Sequence, residues 1–460
     1  MDETYLKKLL DKYDYRSFVY AEYPHKSHWK ETFSDDDFKD SLLTFKEEKK
    51  DSPLMFYVHI PFCNVQCFYC TCHTCITSKY EEIKEYLNYL YKEIDLIKDF
   101  LNKNEIKLNV KEIHIGGGSP TLLNESDFDT LINKIQSIID LDNLREFSIE
   151  IDPRNISEEK LVYYRKKGIN RISFGIQEFD KSVQKAINRI QPVEVVEKLL
   201  TQNIRNLFPH GINFDILVGL PNQTIDSITK TFDTIVKLSP DRICYSYLGF
   251  FPKYSKHQLV MVDGKNGRPT TLPNNIEKRL MFLKGAQILE NNNYVRVGFE
   301  HFAKKTDQVV KALKEGKLKW NALGITTGDY TDVLAIGASG SNTLGKYYSQ
   351  NNYLKEGYYE KLNENKFPIF KGYILNKDDE IRRDVAQYIR NYNKLDYKFI
   401  EDKHNIKFNE YFKSEIEKFN EFEKDKILTI TDCGFEITEI GREFVLFVCG
   451  IFDKYYTNNN

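Results

Sequence analysis

The interpretation of this chain starts from one stretch, Tyr57-Val58-His59-Ile60-Pro61-Phe62-Cys63-Asn64-Val65-Gln66-Cys67-Phe68-Tyr69-Cys70. An apolar run, which predicts a β-strand over residues 55–60, leads into a loop with the cysteine spacing C-x3-C-x2-C. Three thiolates on one loop can wrap a [4Fe–4S] cube but reach only three of its irons, so the fourth iron stays open to another ligand. Cys63, Cys67 and Cys70 are therefore the predicted cluster ligands.

Zinc is the competing metal, because Cys72, His73 and Cys75 follow closely. Structural zinc sites usually take two pairs of ligands from separated loops, and the sequence contains no second pair of this kind. The spacing therefore favours an iron–sulfur cluster. The remaining cysteines are isolated and are interpreted as core residues: Cys244, Cys433 and Cys449.

The composition indicates a soluble globular protein, with 41% hydrophobic and 29% charged residues among 460. The net charge of −2 gives no basic footprint for nucleic acid or anionic lipid. The longest apolar run, 444–452, is too short to span a bilayer of about 30 Å. The first four residues lack the basic and apolar pattern of a secretory signal. We expect a cytoplasmic protein that has neither nucleic acid nor a membrane as a partner.

Short apolar runs alternate with longer amphipathic runs, which predicts an α/β fold with a parallel sheet. The predicted strands are 55–60, 110–115, 146–151, 171–174, 213–218 and 242–247, and the predicted helices are 79–101, 125–138, 157–167, 180–190, 192–203 and 225–237. Pro192 suits the first position of its helix, where a missing N–H costs nothing. About six repeats predict a full or partial (β/α)6-type barrel, with the chemistry at the carboxyl ends of the strands.

Four regions are expected along the chain. They are an N-terminal arm (1–50, with helices over 4–13 and 34–49), a barrel core (51–255), an extension that closes the site (256–370, with a helix over 275–290) and a C-terminal domain (371–460). The last region predicts helices from residue 377, a hairpin of strands 427–431 and 435–438, and a final helix over 439–456, which resembles a winged-helix module. Without a basic excess we favour a packing or lid domain over DNA binding.

Glycine-rich or polar clusters follow successive predicted strands. They are Gly116-Gly117-Gly118-Ser119-Pro120-Thr121, Glu150-Ile151-Asp152-Pro153, Gly175-Ile176-Gln177-Glu178, and Asp215 followed by Gly219-Leu220-Pro221. Consecutive glycines let backbone amides approach a ligand, and carboxylates at a strand end suit hydroxyls or a cation. One such cluster could be a tight turn, but several at the same edge of a sheet indicate a binding site.

Together these residues resemble the oxygen-independent coproporphyrinogen III oxidase family of the radical S-adenosylmethionine (SAM) superfamily. The resemblance is carried by Tyr57–Cys63, the GGGSPT loop, Ile149-Glu150-Ile151-Asp152-Pro153-Arg154, Gly175-Ile176-Gln177, Gly219-Leu220-Pro221, Gly324-Ile325-Thr326-Thr327, Leu334-Ala335-Ile336-Gly337 and Asp379-Glu380-Ile381-Arg382-Arg383-Asp384-Val385. It covers nearly the whole chain. Cys72, two residues after the third ligand, resembles the true members of this family more than its heme-chaperone relatives.

The resemblance implies heme biosynthesis: oxidative decarboxylation of two substrate propionates to vinyls by a 5′-deoxyadenosyl radical. It implies a tetrapyrrole substrate, a [4Fe–4S] cluster, two SAM molecules, a reductant protein such as flavodoxin or ferredoxin, and a monomer. The implied catalytic residues are Cys63, Cys67, Cys70, Tyr57 and His59. The first SAM would be contacted by Tyr57, Gly117, Glu150 and the position of Ser341. The second SAM would be contacted by Tyr69, Gly118, Ser119, Gln177, Arg189, Asp215 and Gly249. Tyr69 could equally shield the cluster, and Arg189 could be a surface charge at a helix end.

Three departures from the family pattern surround the substrate. Val19 stands where the family arm has arginine, Ala322-Leu323 where it has Phe-Gln, and Ser341 where it has an apolar residue. Two alternatives therefore stay open at this point. One is a paralogue that uses the same cofactors for methyl transfer or for radical chemistry on another substrate; the other is a non-enzymatic iron–sulfur, heme or zinc binding protein.

Overall fold

The computed structural model describes residues 3–13, 22–264, 271–328 and 330–455, so Val19 lies outside the described residues. Two helices precede the sheet, α1 (Glu3–Lys12) and α2 (Asp35–Lys49). The Ser34 side chain accepts a hydrogen bond from the Asp37 amide, and the Asp37 carboxylate accepts one from the Ser34 amide. This capping box starts α2 at Asp35, one residue after the start that the sequence predicts.

The barrel is formed by β1 (Leu54–Ile60), β2 (Phe62–Cys63), β3 (Cys75–Ile76), α3 (Tyr80–Lys103), β4 (Val110–Gly117), α4 (Glu125–Gln136), β5 (Glu146–Ile151), α5 (Glu158–Lys166), β6 (Arg171–Gln177), α6 (Lys181–Ala186), α7 (Val193–Leu199), α8 (Gln202–Leu207), β7 (Ile212–Val218), α9 (Ile225–Leu238) and β8 (Arg242–Tyr247). Strands β1, β4, β5, β6, β7 and β8 are parallel neighbours in that order. They are the six strands that the sequence predicts, which confirms the α/β class.

Two predicted helices differ in the structure. The helix expected over 180–190 ends at Ala186, because Asn188 adopts a left-handed conformation with φ of 55° and turns the chain inward. The helix expected over 192–203 is divided into α7 and α8, since the Thr201 side chain caps a new helix by accepting from the Ile204 amide. Pro192 is the N-cap of α7, one residue before the position predicted for it.

The next region extends the sheet on both sides. Its elements are α10 (Asn275–Asn291), β9 (Tyr294–Val297), β10 (His301–Lys304), α11 (Gln308–Lys314), β11 (Lys319–Asn321), β12 (Gly324–Thr326), β13 (Val333–Ile336), β14 (Ser341–Leu344), β15 (Tyr347–Asn351), α12 (Lys355–Asn363) and β16 (Ile369–Ile374). The strand order is β16-β15-β14-β13-β1-β4-β5-β6-β7-β8-β10-β9, and β13 is parallel to β1. The extension therefore flanks both edges of the barrel.

The C-terminal region is mostly helical, as predicted. It contains α13 (Lys377–Tyr392), β17 (Lys394–Asp396), α14 (Tyr397–His404), α15 (Phe408–Tyr411), α16 (Lys413–Ile416), α17 (Phe419–Lys424), β18 (Leu428–Thr431), β19 (Gly434–Ile437) and α18 (Val445–Gly450). Strands β18 and β19 form the predicted hairpin, with β17 on its other side. The final helix is shorter than expected, because a 3₁₀ turn over Gly441–Phe444 takes up its first residues.

The two largest apolar cores hold most of the described residues together. The main core lies between the sheet and the barrel helices and includes Phe38 and Leu42 of α2. The second core lies in the C-terminal region and includes Leu6 and Leu9 of α1. The two halves of the N-terminal arm therefore pack on different regions, and the four domain boundaries stay a prediction. Among the described residues, no helix combines the length and apolarity needed to cross a membrane.

Candidate active site

A cavity of about 210 Å³ opens at the carboxyl ends of the barrel strands. The structure brings most of the predicted site residues to its walls: Cys63, Cys67, Cys70, Tyr69, Gly117, Gly118, Ser119, Glu150, Gln177, Arg189 and Asp215. Most come from a strand end or from the loop after it, which is where an α/β barrel collects its functional groups. Asp215 lies in the middle of β7, and Arg189 follows helix α6. Cys72 also lines this cavity, whereas Cys75 lies in β3 and packs against the main core.

The cysteine loop is held by backbone contacts at both of its ends. The amide of Cys75 donates to the Pro61 carbonyl at 2.6 Å, and the amide of Thr77 donates to the Cys63 carbonyl at 3.0 Å. The amide of Phe68 donates to the Ile187 carbonyl at 3.0 Å, just beyond α6. The loop is thus fixed to the barrel independently of any ligand.

Two arginines place positive charge beside Cys67. Arg154 Nη2 lies 3.8 Å from Cys67 Sγ, and Arg189 Nη1 lies 3.6 Å from it. Asp152 holds both guanidinium groups, at 2.6 Å from Arg154 Nη2 and 3.3 Å from Arg189 Nη1. Burial alone would raise the pKa of Asp152, but the arginines lower it below its ordinary value. The two guanidinium groups therefore place positive charge at the thiol end of the cavity.

Gly117 could not be replaced by a larger residue. Its φ is +114°, and a Cβ there would lie 2.6 Å from the His59 ring. Burial lowers the pKa of His59 to about 4. The ring is therefore neutral near pH 7, with Nε2 donating to the His73 carbonyl at 3.0 Å and Nδ1 accepting from the Tyr57 hydroxyl at 3.0 Å. His59 and Tyr57 form the wall behind Gly117 and are not among the residues lining the cavity.

Glu150 and Asp215 are two carboxylates of the barrel interior. Burial would raise the pKa of Glu150, but a hydrogen bond from His114 Nε2 (3.1 Å) and one from the Gly117 amide (2.9 Å) lower it. Asp215 accepts from Ser173 Oγ at 3.0 Å, yet burial and the nearby Glu150 raise its pKa to about 6. Glu150 is thus ionised at neutral pH. The pKa of Asp215, about 6, lies close to neutral pH, so this carboxyl changes its protonation state there.

A residue that the sequence did not indicate connects the far side of the site. Gln258 is fully buried, and its Nε2 donates to the Gly249 carbonyl at 2.7 Å and to the Tyr69 carbonyl at 3.0 Å. It ties the segment after β8 to the cysteine loop, although Gly249 does not line the cavity. Ser341 is also outside the lining and accepts from Lys26 Nζ at 2.9 Å. The roles assigned to all the site residues stay predictions, and Tyr57, His59, Gly249 and Ser341 are the ones outside the cavity lining.

Ion pairs close the opposite end of the barrel. Glu146 Oε1 lies 2.6 Å from Arg171 Nε, and Glu146 Oε2 lies 3.2 Å from Arg242 Nη1. Arg242 Nε is also 2.9 Å from both carboxylate oxygens of Asp307. Burial would raise the pKa of Glu146, but the two guanidinium groups outweigh it and lower that pKa to about 2.

The site fits a [4Fe–4S] cluster with a bound organic ligand. Three thiols face one cavity, glycines leave room at its rim, and the buried Arg189 Nε has no hydrogen-bond partner among the residues that the structure describes. In those same residues, no three His, Cys, Asp or Glu side chains converge on a point that would hold a single metal ion. A cube needs a different arrangement, because each cysteine binds its own iron.

Comparison with known proteins identifies the class first. Residues 57–235, from β1 into α9, match the model of the radical SAM superfamily.

The full chain then gives the family. It is 35% identical over 438 residues to the oxygen-independent coproporphyrinogen III oxidase of Helicobacter pylori strain J99, covering 95% of this chain and 93% of the relative. The corresponding protein of Escherichia coli K12 is 31% identical and covers 97% and 94%. A solved structure of coproporphyrinogen III oxidase (HemN) from Escherichia coli, a radical SAM enzyme, superposes with a TM-score of 0.88 at 31% identity and covers 98% and 99%. The chain belongs to the oxygen-independent coproporphyrinogen III oxidase family, which confirms the resemblance.

Proposed function

We propose that this chain is a radical SAM oxidoreductase that converts coproporphyrinogen III to protoporphyrinogen IX without oxygen, in heme biosynthesis. One observation carries the proposal. A single cavity is lined by the three cysteines together with Glu150, Arg189 and Asp215. The chain that holds this cavity aligns over nearly its whole length with relatives named oxygen-independent coproporphyrinogen III oxidase. Each of two propionates would lose a hydrogen atom, one CO2 and one electron, and would become a vinyl group.

In this proposal Cys63, Cys67 and Cys70 hold the cluster. When bound, the cluster supplies an electron and SAM supplies the radical that removes hydrogen from the substrate. Arg154 and Arg189 place positive charge beside Cys67, and their shared partner Asp152 keeps them in place. The floor of the barrel is closed by ion pairs, so ligands enter from the carboxyl ends of the strands.

We further propose that the cavity accepts two SAM molecules. The ionised Glu150 would bind the first through a positively charged group. Arg189 and Asp215 would bind the second, with the unpaired Arg189 Nε as a donor to its carboxylate. A flavodoxin or ferredoxin as electron donor, a monomeric state and a cytoplasmic location complete the proposal, and all three stay predictions.

An anaerobic assay tests the function. The reconstituted protein is mixed with SAM, a strong reductant, an electron acceptor and coproporphyrinogen III, and the products are read by mass spectrometry. Loss of two CO2 units together with 5′-deoxyadenosine formation is expected. Deoxyadenosine without a decarboxylated tetrapyrrole would reject the substrate and keep the radical chemistry. Zinc in place of iron, or no deoxyadenosine at all, would reject the enzyme.

A further inference from the structure

A row of cross-strand neighbours runs from the site to one edge of the sheet. Tyr57 in β1 pairs with Ala335 in β13, and the antiparallel register of β13 and β14 places Ala335 beside Ser341. Ser341 pairs with Gln350 in β15, and Gln350 pairs with Lys371 in β16. Residues directly opposite across strands share one face of a sheet. Lys371 therefore lies on the face of the sheet that Tyr57 presents to the barrel interior.

A second lysine reaches the same row from the N-terminal arm. Lys26 Nζ donates to Ser341 Oγ at 2.9 Å, and Lys371 Nζ donates to the Lys26 carbonyl at 3.1 Å. The arm is fixed here because Lys30 and Gly372 exchange two backbone hydrogen bonds, at 2.7 and 2.9 Å. Ser341 lies two strand spacings from Tyr57, which is about 10 Å. The backbone of Lys371 lies four strand spacings from Tyr57, about 19 Å, and its long side chain reaches back to the Lys26 carbonyl. The Lys26 ammonium, bonded to Ser341, is thus the nearer of the two to the site.

Lys371 has no direct ion-pair partner within the described part of the chain, whereas Lys26 pairs with Glu22 at 3.0 Å. Lys371 is half-buried, and its burial together with the neighbouring Lys26 lowers its pKa, which the charge of Glu31 offsets only in part. A partly desolvated ammonium beside a second cation costs free energy, and an anion placed beside both would recover part of that cost.

We propose that Lys26 and Lys371 bind one propionate carboxylate of the tetrapyrrole substrate and so set its orientation at the site. The inference rests on the proposed function and adds specificity-determining residues to it. A macrocycle with acidic side chains around its edge can present one carboxylate to the barrel and another to the lysines.

The test uses the reconstituted full-length protein and two probes. Coproporphyrin III carries the carboxylates in a stable form, and its tetramethyl ester lacks their charge; binding of each is followed by fluorescence titration. The variants are Lys26→Met and Lys371→Met, which keep an apolar stem where Lys26 lies over the Trp29 ring, 5.7 Å from its centroid. Lys30→Met, at an exposed position of the same arm segment, is the matched control.

Each of the two variants is expected to bind the free acid about tenfold more weakly, the size of one charge-assisted hydrogen bond. Ester binding and the control should be unchanged, and Lys26→Arg should restore acid binding. The KM for coproporphyrinogen III should rise with little change in kcat. Unchanged acid affinity, equal losses for acid and ester, or no acid binding by the unaltered protein would overturn the proposal.

Turnover measured in parallel separates this proposal from the function. Lysine-dependent binding of the acid without decarboxylation would keep the lysine site and reject the reaction. Normal decarboxylation with an unchanged KM in both variants would reject the lysine site and keep the reaction.

Discussion

Two carboxylates, the buried Glu146 and the partly buried Asp152, lie at opposite ends of the barrel and are each held by two arginines. At the amino ends Glu146 pairs with Arg171 and Arg242, and Arg242 uses its Nε on Asp307. At the carboxyl ends Asp152 pairs with Arg154 and Arg189. There, however, the guanidinium groups also face Cys67 Sγ and the cavity, and Arg189 Nε is left without a partner in the described chain.

The two ends differ in whether the protein itself uses the hydrogen-bond donors of these arginines. A buried charged group that is fully paired within the protein stabilises the fold, and removing one of its partners is strongly destabilising. A buried charge with a donor unused beside a cavity is ready for a ligand, because that donor otherwise loses its hydrogen bond to water. Arginine–carboxylate pairs therefore close one end of the barrel, and at the other end they leave a donor available for a ligand.

The largest expected effect is at the cavity end. Cys67→Ala should abolish cluster assembly and SAM cleavage together, because the remaining two thiols cannot hold the cube. Iron content, the visible absorption of the cluster and 5′-deoxyadenosine formation are the measurements. Cys433→Ala, in the exposed turn between β18 and β19, is the control and should retain all three. A Cys67→Ala protein with a full cluster would remove Cys67 from the ligand set.

The next effect is at the closed end. Arg242→Met should lower the free energy of unfolding by about 3–5 kcal/mol, because it leaves Glu146 and Asp307 buried with fewer partners. Denaturant unfolding followed by circular dichroism measures this. The KM for SAM of the folded fraction should not change.

Arg189→Met is the counterpart at the cavity end. It should impair SAM cleavage more than stability, because Asp152 keeps Arg154 as a partner. If Arg189→Met and Arg242→Met changed stability and SAM cleavage to the same extent, the proposed difference between the two ends of the barrel would be wrong.

The smallest expected effect concerns pH. Asp215 has a pKa of about 6, so its carboxylate fraction falls as the pH drops through that value. If the ionised form binds cationic SAM, the KM for SAM should rise about tenfold for each pH unit below about 6. Asp215→Asn should have a raised KM that no longer varies over this range. A wild-type KM that stays constant from about pH 7 to about pH 5 would show that Asp215 ionisation is not needed.

Local pattern predicted much of the fold. The six parallel strands were found to within a few residues, because strands covered on both sides are nearly continuous apolar runs. The cysteine spacing predicted the centre of the site, and the glycine and carboxylate clusters predicted its rim. These signals are carried by a few adjacent residues, so one sequence is enough to read them.

The remaining features depend on distant contacts. Asn188 ends α6 early and turns Arg189 inward, but an asparagine is common within a helix pattern as well. Gln258 lies in a 3₁₀ segment that has no periodicity of its own, and only its contacts with Gly249 and Tyr69 reveal its role. Arg154 follows Asp152-Pro153 directly, and that adjacency was the available signal for its contact with Cys67.

The packing of α1 has a consequence for synthesis of the chain on the ribosome. The Tyr5 hydroxyl donates to the Asp425 carbonyl at 2.9 Å across 420 residues of sequence, and the Tyr13 hydroxyl donates to the Asp425 carboxylate at 2.6 Å. Helix α1 leaves the ribosome long before its partners around Asp425 are translated. Leu6 and Leu9 therefore stay uncovered until those partners are made, and a chain interrupted before α17 keeps them exposed to chaperones and proteases.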